Sequence, residues 1–225
     1  MTSDTLAPVA LSNHGPHLSP IVAGAWRMGE WGMNVEQRVR WIEQCLDLGI
    51  TSFDHADIYG GYTVETLFGE ALAAQPSLRS RMQLVTKCGI KLVSERRPGH
   101  AIKSYDTSRA HVLASVDESL RAMHTDHIDL LLIHRPDALM DPDELANTFE
   151  GLRAAGKVLH FGVSNHTPSQ LALLNNRIGL ATNQIELHPL RQRQPQPLAA
   201  TDQPIPLTGK AHRLTSFAGG SGRGR

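Results

Sequence analysis

The chain has 225 residues, and its 22 basic and 22 acidic side chains balance, so it offers no electrostatic grip on nucleic acid or anionic lipid. A hydrophobic fraction of 40 % suffices for a sizeable core. The start, MTSDTLAPVA, lacks the basic and apolar stretches of a leader, and no apolar run reaches the ~18 residues of a membrane span, so a soluble cytoplasmic protein is expected.

Residues 1–17 read as an N-terminal extension. From about residue 18 to 190, short apolar runs alternate with amphipathic stretches, the pattern of repeated strand–loop–helix units on a parallel sheet. The first run is Ile21 to Trp26, IVAGAW. Val39, Ile42 and Leu46 then form a helical stripe closed by Gly49, a residue suited to the position after a helix end. Ile50 to Phe53 and Gln83 to Lys87 are the second and third runs. Ser94 to Thr107, SERRPGHAIKSYDT, has no period and reads as a long loop after the third strand. Leu113, Val116, Leu120 and Met123 form the next helical stripe, followed by the strand Ile128 to His134. Two later helices open with Asp141-Pro142-Asp143-Glu144 and Thr167-Pro168-Ser169-Gln170. Each places a capping residue, a proline at the first helical position and a carboxylate or amide two residues further on. Val158 to Ser164 and Ala181 to Leu187 complete the strands. Cys45 and Cys88 fall inside helix and strand, where a buried thiol acts as a small hydrophobe.

Six strands and five helices occupy roughly 170 residues, whereas a closed (β/α)₈ barrel takes about 250. The fold class expected is therefore α/β, a TIM-type barrel with about six of its eight strands, over residues 18–190. Residues 191–225 hold four prolines, five glycines, six basic side chains and one acidic one without any period, and read as a disordered tail. A six-stranded arc would leave two unpaired edges and an exposed apolar interior.

On a parallel barrel the reactive residues project from the C-terminal ends of the strands. Asp54 ends the second run in FDHADIYG, with Tyr59 in the loop beyond it. Lys87 ends the third in VTKCG, His134 the fourth in LLIHRPD, and Ser164 and Asn165 the fifth in GVSNH; Asn183 and Gln184 lie in NQIELHP. Each has a structural reading when taken alone: a loop Tyr packs, a strand-end Lys is solvated, a lone His is a satisfied core residue. Together they suggest chemistry. A tyrosine with its ordinary pKa near 10 is a poor acid, and a neighbouring ammonium, held in place by a carboxylate, would lower that pKa. A histidine on the next strand could hydrogen-bond a carbonyl oxygen and stabilise charge developing there. None of these groups can supply hydride, which a cofactor must bring.

Those five motifs in that order resemble the signatures of the aldo/keto reductase superfamily, over about Leu18 to Leu190. The runs DHADIYGGY and IDLLLIHRPD look nearest to its bacterial oxidoreductases. The resemblance implies an NADPH-dependent reductase of aldehydes or ketones, with Tyr59 as general acid, Lys87 and Asp54 as its tuners, and His134 orienting the carbonyl. It also implies that Ser164, Asn165 and Gln184 hydrogen-bond the nicotinamide carboxamide, and that Gly24, Ala25 and Trp26 line the cofactor and substrate floor. The units that supply a stacking aromatic and the groups for the adenosine 2′-phosphate have no counterpart in the sequence. Two alternatives accompany that gap: a non-catalytic nucleotide-binding module, or a non-functional remnant of a frameshift near codon 190. A metal-dependent hydrolase on the same barrel is not expected, because the first strand ends in Ala25 and Trp26 where a His-x-His pair would be wanted. No metal site is assigned.

Overall fold

A computed structural model describes residues 7–13 and 15–186. A short antiparallel hairpin comes first, β1 (Val9–Ala10) with β2 (His17–Leu18). The strand–helix units follow: β3 (Val22–Gly24), α1 (Val35–Asp47), β4 (Ser52–Asp54), α2 (Val64–Ala74), β5 (Gln83–Cys88), the small pair β6 (Ile90–Lys91) and β7 (Ser104–Tyr105), α3 (Arg109–Ala122), β8 (Ile128–Ile133), α4 (Pro142–Ala154), β9 (Val158–Ser164), α5 (Pro168–Asn175) and β10 (Asn183–Gln184). The main sheet has six strands in the order β10-β9-β8-β5-β4-β3, every pair parallel. It curls into a half-barrel with the helices outside. The tail expected at 191–225 and the end of the sixth run at Leu187 lie outside the described residues. No helix among the described residues is long and apolar enough to cross a membrane.

The helix starts follow from side-chain chemistry. Asp141 accepts from the backbone N–H groups of Asp143 and Glu144, and Thr167 makes a reciprocal capping box with Gln170, each beside a proline at the first helical position. Gly49 closes α1 with a φ of 76°, which a residue without Cβ adopts freely. The third helix is rotated from expectation. Its fully covered face is Val112, Val116, Ser119 and Met123, while Leu113 and Leu120 are only partly buried. A serine belongs on that face because its hydroxyl donates to the buried carboxylate of Glu65 on α2. Gly69, one turn beyond Glu65, makes this contact possible: a Cβ there would lie 1.9 Å from the carbonyl oxygen of Ala122, so only glycine lets the two helices approach so closely.

The loop expected over Ser94–Thr107 is pinned at its base, since Ser104 and Tyr105 form β7 against β6. The Tyr62 hydroxyl also accepts from the Leu92 N–H at 2.8 Å. Its polar composition hid a two-residue strand, too short to leave any alternation in the sequence.

The apolar interior is covered, contrary to the expected exposure. Leu18, Val85, Leu130, Leu132 and Ala181 on the concave face are each 8 % exposed or less, and Leu11 packs against them from the N-terminal hairpin. Residues read as an extension thus close the floor of the arc, at a gain of about 1.5–3 kcal/mol for each large side chain withdrawn from water. The larger core lies on the other face, where Phe53, Leu84, Leu131, Phe161 and Val163 meet the helices.

Candidate active site

Successive residues of a strand face opposite sides, so Asp54, Lys87, His134 and Ser164, each at or just past the C-terminal end of its strand, share the open rim of the concave face. The ladder staggers them along the rim: Gly24 pairs with Asp54 and Asp54 with Val85, Lys87, two residues further on, pairs with Leu132, and Gln184 pairs with Ser164. Beyond β4 the chain stays tied to β5. The His55 N–H donates to the Val85 carbonyl at 2.8 Å and the Asp57 N–H to the Lys87 carbonyl at 3.0 Å. A turn from Ala56 to Tyr59 then delivers the tyrosine ring over Lys87.

The Lys87 ammonium is 3 % exposed. Its Nζ donates to both oxygens of Asp54 at 2.7 Å and to the carbonyl of His55 at 2.7 Å, and reaches the Tyr59 hydroxyl at 3.2 Å. Burial alone would pull Lys87 down; the charges and hydrogen bonds of Asp54 and Tyr59 outweigh it, and its pKa ends above the ordinary value. An ammonium has no lone pair, so the Tyr59 oxygen accepts and its own proton is directed elsewhere.

One expectation from the sequence is corrected. Tyr59 lies above its ordinary pKa of 10.0, because burial raises it and Asp54 adds to that, against the lowering by Lys87 and Arg135. Desolvation of the phenolate wins over the ammonium. Tyr59 is therefore firmly protonated near neutral pH, and Lys87 matters as a partner for the charge that forms when the proton leaves.

His134 stands edge-on to Tyr59, with ring centroids 6.0 Å apart. Burial, then Lys87, Arg135 and Lys103, push its pKa down to about 3, so the ring is neutral. Its Nδ1 is buried without a hydrogen-bond partner among the described residues. Arg135 carries no role in the sequence reading, yet it acts on both rings. Its place directly after His134 was the available signal.

Of the residues expected around a cofactor, Trp26 is 59 % exposed and its ring lies 6.4 Å from that of Tyr59. Gly24 ends β3 beside Asp54. Ala25 differs: it is fully buried in the core between sheet and helices, and its backbone N–H continues the ladder to the Asp54 carbonyl at 2.9 Å. The structure brings Ser164, Asn165 and Gln184 to adjacent strand ends. Asn165, at a φ of 55°, donates to the Ser164 hydroxyl at 3.1 Å and accepts from the Glu186 N–H at 3.0 Å. Gln184 donates to Asp54 Oδ1 at 3.2 Å, a contact that no strand-end motif announces. A hydroxyl and two amides are the donors and acceptors a carboxamide needs, so the residues present fit that group. Among the described residues, no three His, Cys, Asp or Glu side chains gather as a metal-holding group. Cys45 and Cys88 are buried free thiols, the former pushed by burial up to about 11 and the latter well above its ordinary value.

Comparison with known proteins gives the same direction. Residues 20–204 match the model of the "Aldo/keto reductase family". Oxidoreductase YdhF of Escherichia coli (strain K12) is 52 % identical over 186 residues, which cover 82 % of this chain and 62 % of that protein. A 6-dehydroglucose reductase of Agrobacterium fabrum is 48 % identical over 173 residues, covering 76 % of this chain and 58 % of the relative. Among solved structures, the glycerol dehydrogenase AKR11B4 from Gluconobacter oxydans superposes with a TM-score of 0.67 at 33 % identity, over 83 % of this chain and 56 % of that one. The chain spans about three fifths of the length of the curated relatives it matches.

Proposed function

This chain belongs to the aldo/keto reductase family, and from that premise we propose that it binds NADPH and reduces an aldehyde or ketone, with Tyr59 as the proton donor. The observation that carries the reading is the bond from Lys87 Nζ to the Tyr59 oxygen, with the same ammonium held by Asp54 and the His55 carbonyl. Tyr59 keeps its proton until a carbonyl oxygen becomes basic enough to take it. As the proton leaves, the positive charge 3.2 Å away stabilises the phenolate, inside a site where water contributes little screening. His134, being neutral, can donate one N–H to the carbonyl oxygen and orient it without competing as an acid. Trp26 offers the exposed apolar wall against which a substrate would lie.

When bound, the dinucleotide supplies the hydride that reaches the carbonyl carbon. Ser164, Asn165 and Gln184 are the residues that would hold its carboxamide on the rim. The names of two relatives, one acting on an oxidised sugar and one on glycerol, place small hydroxylated carbonyl compounds among the substrates to try beside simple aromatic aldehydes.

The test is oxidation of NADPH by the purified chain with 4-nitrobenzaldehyde and a panel of hydroxylated aldehydes. Turnover is expected, and Tyr59→Phe should lower kcat by roughly 10²–10⁴-fold with NADPH binding retained. A folded chain that binds NADPH and turns over none of these substrates overturns the proposal.

A further inference from the structure

Gln184 closes the edge strand β10, while Asp54 ends β4, and three strands, β9, β8 and β5, lie between them. Their hydrogen bond, at 3.2 Å between residues 130 positions apart, therefore crosses the mouth of the arc instead of following a ladder. A carboxylate can only accept, so the nitrogen of the Gln184 amide must face Asp54, and its oxygen takes no part in this bond. Asp54 Oδ1 then carries two donors, Lys87 Nζ and Gln184 Nε2, whereas Oδ2 has Lys87 alone.

We propose that Gln184 is a positioning residue for the acid at this site: its N–H fixes the Asp54 carboxylate and shares its charge, which makes Tyr59 release its proton more readily than Lys87 and Asp54 alone would allow. This rests on the reading of Tyr59 as proton donor. The physical step is short. The negative charge of Asp54 holds the proton on Tyr59, and a donor that spreads this charge weakens the hold. The charged and titratable groups around Tyr59 are Asp54 on β4, Lys87 on β5, and His134 and Arg135 at the end of β8. Among the described residues, Gln184 alone approaches Asp54 from the far edge of the sheet.

The experiment is a tyrosinate difference-absorbance titration of the purified chain, with Tyr59→Phe as the subtraction that isolates Tyr59 from the other two tyrosines. Gln184→Leu should move the Tyr59 transition upward by roughly half a pH unit, a fraction of the about 1–2 units that one hydrogen bond to a charged group is worth at the carboxylate itself, because Tyr59 feels the change only through Asp54. Gln184→Glu, which sets a second carboxylate beside Asp54, should move it further. If Gln184→Leu does not fold, Gln184→Met repeats the measurement with an unbranched apolar side chain. At neutral pH the Gln184 side-chain ¹⁵N–¹H₂ signals should shift in Asp54→Asn. A Tyr59 transition unmoved in the apolar variant, or Gln184 signals unmoved in Asp54→Asn, overturns the proposal. Because neither readout needs cofactor or turnover, a chain without reductase activity that still shows both shifts would sink the proposed function and leave the linkage standing.

Discussion

Two buried carboxylates, Asp54 on the concave rim and Glu65 on the helix side, are 7 % and 5 % exposed, and they are treated in opposite ways. Asp54 receives an ammonium on both oxygens. Among the described residues, Glu65 receives only hydroxyls, from Thr86 and Ser119. It also lies near Asp57, whose Oδ1 is buried without a partner among the described residues and whose own pKa is pushed well above the usual carboxylate range by burial and by Glu65. The outcome is a Glu65 pKa raised by burial to about 7, against the lowering by its two hydroxyl donors. The two neutral donors do not offset the loss of water around the Glu65 carboxylate. One strand serves both regions, since Thr86 and Lys87 are neighbours in β5 and so face opposite sides of the sheet.

The comparison breaks most sharply if the ammonium is removed. Lys87→Met leaves Asp54 charged, buried and held only by Gln184, and should cost about 3–5 kcal/mol of stability in a urea titration. The double variant Lys87→Met/Asp54→Asn should recover a large part of that loss. A Lys87→Met chain as stable as the parent would mean that Asp54 is solvated and that the two carboxylates do not differ.

A smaller effect, with the opposite sign, is expected at Glu65. Its folded pKa is raised, so its contribution is fully present below the unfolded value of 4.5 and is lost as the pH rises through about 7. Across that window the charged carboxylate should lower stability by up to about 3 kcal/mol, an order-of-magnitude figure. Glu65→Gln keeps an acceptor for the hydroxyls and removes the titration, so its stability relative to the parent should rise between pH 5.5 and 8. Parallel thermal melts at several pH values check this, and equal slopes in the two chains would refute it.

The rim was legible in the sequence because its residues sit at strand ends, where a continuous apolar run stops at a polar side chain. VTKCG and LLIHRPD announce Lys87 and His134 in this way. Asp54 and Gln184 were legible as residues, but their contact was not, for it depends on how tightly six strands curl. The Tyr59 pKa was misjudged because the ammonium beside it could be foreseen and the depth of its burial could not. Glu65 and Ser119 went unread for a related reason. Glutamate early in a helix reads as a favourable charge near the N-terminus, and serine three residues after Val116 falls on the expected apolar stripe as an apparent interruption. What joins them is the closeness of α2 and α3 at Gly69, and a single sequence does not say which of its glycines serves a helix contact.

Ser119→Ala sharpens the comparison with the smallest change. It deletes one of the two donors that keep Glu65 from rising further, so the carboxyl should titrate higher still. Above pH 7 the variant should lose about 1–2 kcal/mol, because a buried charged oxygen is left with no partner. Near pH 5.5 the loss should be smaller, since Glu65 is then protonated. In a Glu65→Gln background the pH dependence of the Ser119→Ala effect should disappear, which a double-mutant cycle of thermal melts at both pH values measures. The Tyr59 titration should be unchanged in Ser119→Ala, because Glu65 lies behind the sheet and the charges that set Tyr59 are those of Lys87, Asp54 and Arg135. A shift there would mean that the two faces of β5 are electrostatically one region, and that the contrast between its two carboxylates is a matter of degree.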